Sequence, residues 1–359
     1  MKCFKWKKKL NCRKISIFKM IKILENVSLK PYNTFGITAI AKYFAVFNSL
    51  QDLIEVLNNA AFVNTKKLFL GGGSNILLLN DFEGLVLKNE IEGVETVSET
   101  EEKVVLKVGA GENWHSFVLK TIERELSGIE NLSLIPGTVG AAPMQNIGAY
   151  GVEIKDVFLQ LEALNLKTLK VEVFNLDKCQ FGYRESYFKQ EGKDKYVILN
   201  VSFELSKNPQ FKISYGAIQE TIATMGIKNL SVKVISDAII KIRKSKLPDP
   251  AIIGNSGSFF KNPEISIVQY KELLSKFPLM PSYPINENYV KVPAGWLIEQ
   301  AGWKGKKVGN VGVHDQQALV LVNYGNGKGN EIKELAGSIQ ESIKNKFDII
   351  ISPEVNFIG

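Results

Sequence analysis

The sequence predicts an α+β fold, in which strands and helices follow one another without a regular βαβ repeat. Apolar and polar residues alternate over residues 197–205, a pattern typical of a half-buried strand. An amphipathic helix is predicted behind Asn330, where apolar side chains recur at helical spacing: Ile332, Leu335, Ala336, Ile339 and Ile343. The chain has 359 residues, 45% of them hydrophobic, so two or three domains with real cores are possible.

Shorter patterns predict other elements in order along the chain. Ser49 followed by Asp52 resembles a capping box that opens a helix running through Leu57. Residues 104–108 predict a strand, and residues 112–119 after it contain the start of a helix. Residues 348–358 predict a final strand that is interrupted by Pro353.

The formal net charge of +8 is concentrated at the start of the chain. Residues 1–20 contain eight lysine and arginine residues and no acidic residue. Removing these eight from the 45 basic residues leaves 37, which equals the number of Asp and Glu residues. The remaining chain is formally neutral, so a basic body that binds nucleic acid through many phosphates is not indicated.

Residues 1–20 themselves form a basic tail whose role stays open. The favoured interpretation is a disordered, solvated arm. The alternatives are an extension created by the choice of gene start, with Met20 as the true first residue, and a contact with anionic lipid or nucleic acid. Lys19 and Lys22 interrupt the only apolar stretch that could serve a signal peptide. We expect the rest of the chain to fold without this tail.

Cysteine and histidine usage bears on metals, disulfides and compartment. Two of the three cysteines lie in the basic tail, which leaves Cys179, and the two histidines are His115 and His314. We therefore expect neither a disulfide framework nor a metal site. Cytoplasmic localisation is expected, because these cysteines fit a reducing compartment. No stretch of 18 apolar residues occurs, so no stable membrane insertion is expected.

Three glycine-rich loops are the most informative local feature. They cover residues 71–75, 109–111 and 135–151. Glycine permits positive φ and lets backbone N–H groups approach an anion closely. The first loop is neither a Walker A loop nor a dinucleotide fingerprint, and taken alone it can be a tight hairpin turn. Together the three loops suggest a long cofactor with a diphosphate that lies along the backbone.

Blocks of sequence that include these loops resemble the UDP-N-acetylenolpyruvoylglucosamine reductase family over residues 29–359. Among the matching blocks are Asn33-Thr34-Phe35-Gly36, Phe181-Gly182-Tyr183-Arg184-Glu185-Ser186, Gly254-Asn255-Ser256-Gly257-Ser258-Phe259-Phe260-Lys261-Asn262-Pro263 and Ser352-Pro353-Glu354-Val355. The resemblance implies an FAD-binding fold of the vanillyl-alcohol-oxidase/PCMH type with two FAD-binding subdomains and an α+β substrate-binding domain. The implied bounds are 21–92 with 348–359 returning to it, 93–247 and 248–347.

The resemblance also implies the reaction. NADPH would reduce FAD, and the flavin would reduce the enolpyruvyl ether of a UDP-N-acetylglucosamine derivative to UDP-N-acetylmuramate, a precursor of peptidoglycan. Delivery of hydride leaves negative charge on C2 and its carboxylate, so the reaction needs a proton donor and a group that stabilises charge. By position Ser258 is the donor, while Arg184 and Glu354 stabilise the enolate-like intermediate. Arginine offers a planar fork for a carboxylate, whereas Glu354 must be protonated or paired with Arg184.

The alternatives without catalysis are that Ser258 lies in a flexible Gly-Ser turn, that Arg184 forms a surface ion pair with Glu185, and that Glu354 is a solvated strand residue. Non-covalent FAD is expected, because Ser74 follows Gly73 where many related oxidases carry a flavin-linked histidine. The FAD contacts that the resemblance implies are Gly71, Gly72, Gly73, Ser74, Asn75, Gly111, Pro136, Gly137, Gly140, Asn146, Gly148, Ala149, Tyr150 and Tyr183. His115 is expected to pack at a helix start rather than to touch flavin.

The substrate contacts that the resemblance implies are Tyr215, Lys246, Asn262 and Tyr283. Lys246 would bind the diphosphate of the UDP-sugar and, in turn, a phosphate of NADPH, because both ligands would use one pocket. Tyr283 lies in a loop at 277–284 like that of type I members, and a monomer is expected. Two rival functions are another FAD-linked oxidoreductase of the same superfamily and a non-catalytic nucleotide-sugar or nucleic-acid binding protein.

Overall fold

A computed structural model describes residues 21–359, and the predicted basic tail at 1–20 lies outside them. The first part of the chain forms β1 (Ile23–Ser28), β2 (Ile40–Phe47), α1 (Leu50–Asn58), β3 (Lys67–Leu70), β4 (Ile76–Leu78) and β5 (Phe82–Asn89). One sheet has the order β1-β2-β5-β3, with β5 parallel to both of its neighbours. Ser49 Oγ accepts a hydrogen bond from Asp52 N at the start of α1, which confirms the predicted helix start.

The middle of the chain forms β6 (Val94–Glu99), β7 (Lys103–Gly109), α2 (Trp114–Glu123), β8 (Gly148–Ala149), β9 (Val152–Glu153), β10 (Phe158–Asn165), β11 (Val171–Asn175), α3 (Leu176–Cys179), β12 (Tyr196–Ser206), α4 (Gly216–Thr224) and α5 (Val232–Lys246). Five strands make an antiparallel sheet of order β11-β10-β12-β7-β6. Both strands predicted here, at 104–108 and 197–205, are confirmed and extend one residue further at each end. The predicted start of α2 is confirmed, with Asn113 as its N-cap.

The last part forms β13 (Gly254–Ser258), β14 (Glu264–Ser266), α6 (Ile267–Lys276), β15 (Tyr283–Pro284), β16 (Tyr289–Lys291), α7 (Ala294–Gln300), β17 (Lys307–Val308), β18 (Val311–Val313), β19 (Val320–Asn323), α8 (Gly329–Phe347) and β20 (Asn356–Ile358). Two antiparallel sheets have the orders β13-β19-β18-β17 and β14-β16-β15. The predicted amphipathic helix is α8, and all five of its predicted apolar positions are buried. In the described part of the chain no helix is both long and apolar enough to cross a membrane.

The final strand was predicted too long. Residues 348–355 are not a regular strand, and only β20 is, pairing in parallel with β4 of the first part of the chain. Asp348 ends α8 in the left-handed conformation, with φ of 53°, and Pro353 has no N–H to give to a ladder. Pro353 instead makes an isolated bridge with Phe260, which ties this segment to the strand that carries Ser258.

Two buried clusters hold the parts together, and a third lies within the middle part. Phe35 of the first part packs edge-on against Phe259 of the last part, with ring centroids 6.2 Å apart, in a core that also includes α8. Phe47 and Leu87 of the first sheet pack in a second core with residues of β10 and β12. The third core lies between α2 and the five-stranded sheet, around Trp114. These contacts bring the glycine-rich loops into one region.

Candidate active site

The first and third glycine-rich loops meet backbone to backbone. Residues 71–75 connect β3 to β4, and these strands belong to different sheets, so the hairpin alternative is wrong. A Cβ on Gly72 would lie 2.7 Å from Gly137 Cα, so only glycine permits this approach. Ser74 Oγ also donates a hydrogen bond to Pro136 O at 3.3 Å.

Two neighbouring cavities open beside these loops. One encloses about 320 Å³ and is lined by residues 71–76, by Pro136 and by Gly148; the other encloses about 660 Å³ between the first sheet and β12. Gly71, Thr138 and Ala141 line both cavities, so the two form one elongated cleft. Thr138 Oγ1 is buried and has no hydrogen-bond partner within residues 21–359. A cleft walled by closely apposed glycine backbone, with an unpaired hydroxyl at its middle, fits a long ligand that contains phosphate.

The cleft collects most of the predicted cofactor residues. Gly71, Gly72, Gly73, Ser74, Asn75, Pro136 and Gly148 line the smaller cavity, Gly140 lines the larger one, and Gly137 faces Ser74. Gly111 does not line either cavity, because it packs on the backbone of residues 90–91. Asn146 is fully buried in the left-handed conformation and donates hydrogen bonds to Glu153 and to the carbonyl of Gly182. Ala149, Tyr150 and Tyr183 also lie outside the cavity walls.

Ser258 reaches the smaller cavity because of an irregularity in β13. The pairing of β13 with β19 shifts register between Asn255 and Ser258. Gly257 has φ of 71°, and its N–H donates to Asn255 Oδ1 at 3.0 Å, which fixes the turn before Ser258. Ser258 is exposed to the cavity, and its hydroxyl makes no hydrogen bond to any described residue. The hydroxyl is therefore available to a ligand.

Arg184 and Glu354 form a partly buried pair on the wall of the same cavity. Arg184 Nε lies 3.3 Å from Glu354 Oε1, and the guanidinium also donates to Gly148 O at 2.7 Å. Glu354 N donates to Phe259 O at 2.8 Å, so the glutamate is attached to the residue that follows Ser258. The surface alternative for Arg184 is wrong, because Glu185 lies within 3.8 Å of Lys261 instead and Arg184 faces inward.

Burial and the neighbouring cations act on the Glu354 carboxyl in opposite directions. Burial raises its pKa, against the lowering effect of Arg184, Lys189 and Lys261. Glu354 is thus paired with Arg184, and its pKa lies above the ordinary value of a carboxyl. A protonated carboxyl beside a guanidinium can donate to a carboxylate without repelling it.

Comparison with known proteins gives the family. The family described as "UDP-N-acetylenolpyruvoylglucosamine reductase, C-terminal domain" matches residues 249–358, and the family described as "FAD binding domain" matches residues 41–169. The UDP-N-acetylenolpyruvoylglucosamine reductase of Amoebophilus asiaticus is 51% identical over 334 residues, covering 93% of this chain and 98% of the relative. That of Flavobacterium johnsoniae is 49% identical, covering 94% and 100%. The chain belongs to the UDP-N-acetylenolpyruvoylglucosamine reductase family.

Solved structures support the fold predicted for this reductase family. The UDP-N-acetylenolpyruvylglucosamine reductase of Thermus caldophilus has a TM-score of 0.67 at 22% identity and covers 94% of this chain and 100% of its own. The 6-hydroxy-D-nicotine oxidase of Arthrobacter nicotinovorans has a TM-score of 0.52 at 10% identity and covers 92% and 87%. The predicted α+β fold of the FAD-binding oxidase type is confirmed.

Within this reductase-family site, none of the four predicted substrate residues lines either cavity. The rings of Tyr150 and Tyr215 are 5.9 Å apart, and Tyr283 is close enough that its charge helps to raise the pKa of Tyr215, after burial. Lys246 is exposed at the end of α5, next to Leu247 in the wall. Asn262 Oδ1 accepts from Ala294 N at 2.9 Å, at the start of α7.

Two charged residues of the smaller cavity were missed by sequence reasoning. Lys189 lines the cavity and donates from Nζ to Arg184 O at 3.2 Å. Arg243 also lines it, and its buried Nε has no hydrogen-bond partner among the described residues. Burial lowers the pKa of both side chains. Position offered a signal in each case, because Lys189 follows the block at 181–186 and Arg243 lies one helical turn before Lys246 and Leu247.

Proposed function

We propose that this chain is an FAD-dependent reductase of peptidoglycan precursor synthesis. It reduces UDP-N-acetyl-3-O-(1-carboxyvinyl)glucosamine to UDP-N-acetylmuramate with NADPH as electron donor. The observation that carries the proposal is the convergence of Ser258, Arg184 and Glu354 on one cavity wall beside the glycine-rich cleft. The names of the relatives, which span nearly the whole chain, support the same substrate.

The cleft fits FAD, because glycine backbone lines it and Thr138 offers an unpaired hydroxyl between its two halves. When bound, FAD supplies the hydride chemistry that links NADPH to the substrate. The residues that would hold it non-covalently are the 71–75 loop, Pro136, Gly137, Gly140 and Gly148. Gly111 and Asn146 pack against the protein, and Ala149, Tyr150 and Tyr183 lie outside the two cavities. No described residue cluster could hold a metal ion.

The side chains of the cavity supply binding and proton chemistry. Arg184 orients the substrate carboxylate through its fork and stabilises the charge that develops there. Glu354, in its protonated form, donates a hydrogen bond to that carboxylate. This hydrogen bond becomes stronger when negative charge develops on the carboxylate. Ser258 then gives its proton to C2. A serine is a weak acid, so this assignment suits a strongly basic carbon and a hydroxyl free of other partners, as observed.

Ligand entry is assigned to the mouth of the cavity. Tyr215, Tyr283, Lys246 and Asn262 would hold the nucleotide diphosphate there, with NADPH and substrate using the place in turn. This assignment rests on the exposed ammonium of Lys246 beside Leu247 of the cavity wall and on the proximity of Tyr215 to Tyr283. The proposed domain bounds stay at 21–92 with 348–359, at 93–247 and at 248–347. The proposal includes a monomeric state. It also includes action in the cytoplasm, because NADPH and nucleotide sugars are charged and do not cross membranes unaided.

The deciding experiment is an absorbance spectrum followed by two additions. The purified protein should show a flavin spectrum that is lost with NADPH under anaerobic conditions and restored by the enolpyruvyl nucleotide. Reoxidation by oxygen alone, with no response to the nucleotide, would favour another FAD-linked oxidoreductase of the superfamily. A colourless protein would favour a non-catalytic binding protein.

A further inference from the structure

His115 stands beside the cleft without touching it and makes a contact that the proposed reaction does not use. Leu134 N donates a hydrogen bond to His115 Nδ1 at 3.0 Å, across nineteen positions of sequence. The adjacent side chain acts on the same segment, since Trp114 Nε1 donates to Leu132 O at 3.0 Å. The first two residues of α2 therefore hold both ends of the segment 132–134.

The segment needs to be held because its backbone is unfavourable. Leu134 has φ of 60°, and a residue with a branched side chain rarely adopts this left-handed conformation. Ile135 and Pro136 follow at once and line the cavity, and Gly137 meets Gly72. A change at Leu134 would thus pass directly into the loop that forms one wall of the FAD cleft. We propose that His115 is a positioning residue for this loop, residues 135–138, which it fixes by accepting the Leu134 N–H.

This contact requires a neutral imidazole, because a protonated Nδ1 carries its own hydrogen and cannot accept. Burial, together with the charges of Arg243 and Lys244 on α5, lowers the pKa of His115. The other elements packed on α2 do not offset these cations. Glu130 lies in a 3₁₀ turn at Glu130–Leu132, and its carboxylate accepts hydrogen bonds from Ser127 and Gly128. A second 3₁₀ turn, at Val139–Gln145, has no titratable side chain. At neutral pH the ring is therefore an acceptor, and acidification would release the loop.

The proposal rests on FAD occupying the cleft but not on the substrate or the reaction. The experiment uses full-length, flavin-loaded protein that is diluted stepwise while the fluorescence of released FAD is followed. The fluorescence gives a dissociation constant at about pH 8 and at steps down to about pH 4, because the pKa of His115 is lowered from the ordinary histidine value. Three proteins are compared: the natural chain, His115→Asn and His115→Leu. Asparagine is the matched control, because its side-chain oxygen can take the place of Nδ1 but does not titrate.

The natural protein should bind FAD about tenfold more weakly at acidic pH, as expected for one lost hydrogen bond with a partly buried donor left unpaired. His115→Asn should match the natural protein at the higher pH and lose the pH dependence. His115→Leu should bind about tenfold more weakly at every pH. Equal affinity of His115→Leu and the natural protein, or an unchanged pH dependence in His115→Asn, would overturn the proposal.

Hydrogen–deuterium exchange supplies a second measurement that needs no affinity value. Exchange at residues 132–137 should be faster in His115→Leu than in His115→Asn. If His115→Leu does not fold, the comparison of His115→Asn with the natural chain still decides, because a ring that only fills space predicts the same pH dependence in both. A protein that never binds flavin would refute the premise that FAD occupies the cleft. The exchange data alone would then decide whether His115 holds residues 132–137 in place.

Discussion

The sharpest consequence of the site concerns Ser258, because its substitution separates the two halves of the reaction. Reduction of the flavin by NADPH requires no proton donor at substrate C2, whereas reduction of the substrate does. Ser258→Ala removes the hydroxyl and leaves a side chain of similar size. The hydroxyl makes no hydrogen bond to any described residue and is exposed to the cavity, so its loss should not alter the fold.

The expected magnitude follows from the role of a general acid. Such groups contribute about 10²–10⁴-fold, so reoxidation by the enolpyruvyl nucleotide should slow by at least that factor. In free energy this is about 2.7–5.4 kcal/mol of activation barrier. Flavin reduction by NADPH should keep a near-normal rate. Ser258→Cys should retain more activity than Ser258→Ala, since a thiol can still donate a proton.

Stopped-flow absorbance of each half-reaction is the assay, and Ser338→Ala is the control. Ser338 is exposed on α8, does not line either cavity, and donates a hydrogen bond from Oγ to Glu334 O at 3.1 Å. Both half-reactions of the control should be unchanged. Equal slowing of both halves in Ser258→Ala, or no slowing of the second, would mean that Ser258 serves only the structure.

Three further outcomes are expected. Lys246→Ala should weaken NADPH and substrate alike by about 1.5–3 kcal/mol, the worth of a hydrogen bond to a charged group, and titrations in which one ligand keeps its affinity would refute the shared site. Burial raises the pKa of Glu354, so the carboxyl loses its proton as pH rises through that raised value, and stopped-flow reoxidation should slow there. Glu354→Gln should remove this dependence of the reoxidation rate on pH. A pH profile of reoxidation that is the same in the natural protein and in Glu354→Gln would contradict the role of Glu354 as a donor. Gly72→Ala should yield protein without a flavin spectrum, because its Cβ would lie 2.7 Å from Gly137 Cα; Gly337→Ala, where a Cβ meets nothing within 4 Å, is the control that should stay yellow.

The sequence by itself determined the class of elements and the nature of the ligand. Local rules were sufficient for α1, whose Ser49 cap lies three residues from Asp52, and for α8, whose apolar face needs only helical spacing. Local rules failed at 348–358, where a helix end and Pro353 broke the pattern. The three glycine-rich loops together suggested a long cofactor with a diphosphate, and the resemblance implied that this cofactor is FAD.

Only the tertiary structure decided which residues meet. Arg184 and Glu354 are 170 positions apart, and their pairing depends on a return of the chain through Pro353 beside the strand of Ser258. The resemblance implied Asn146 and Gly111 as FAD contacts, yet both pack against the protein, because a loop has an inner and an outer face that sequence position does not encode. The pKa of a side chain depends on its burial and on neighbouring charges, not on its position in the sequence. The raised pKa of Glu354 therefore follows only from the assembled cavity.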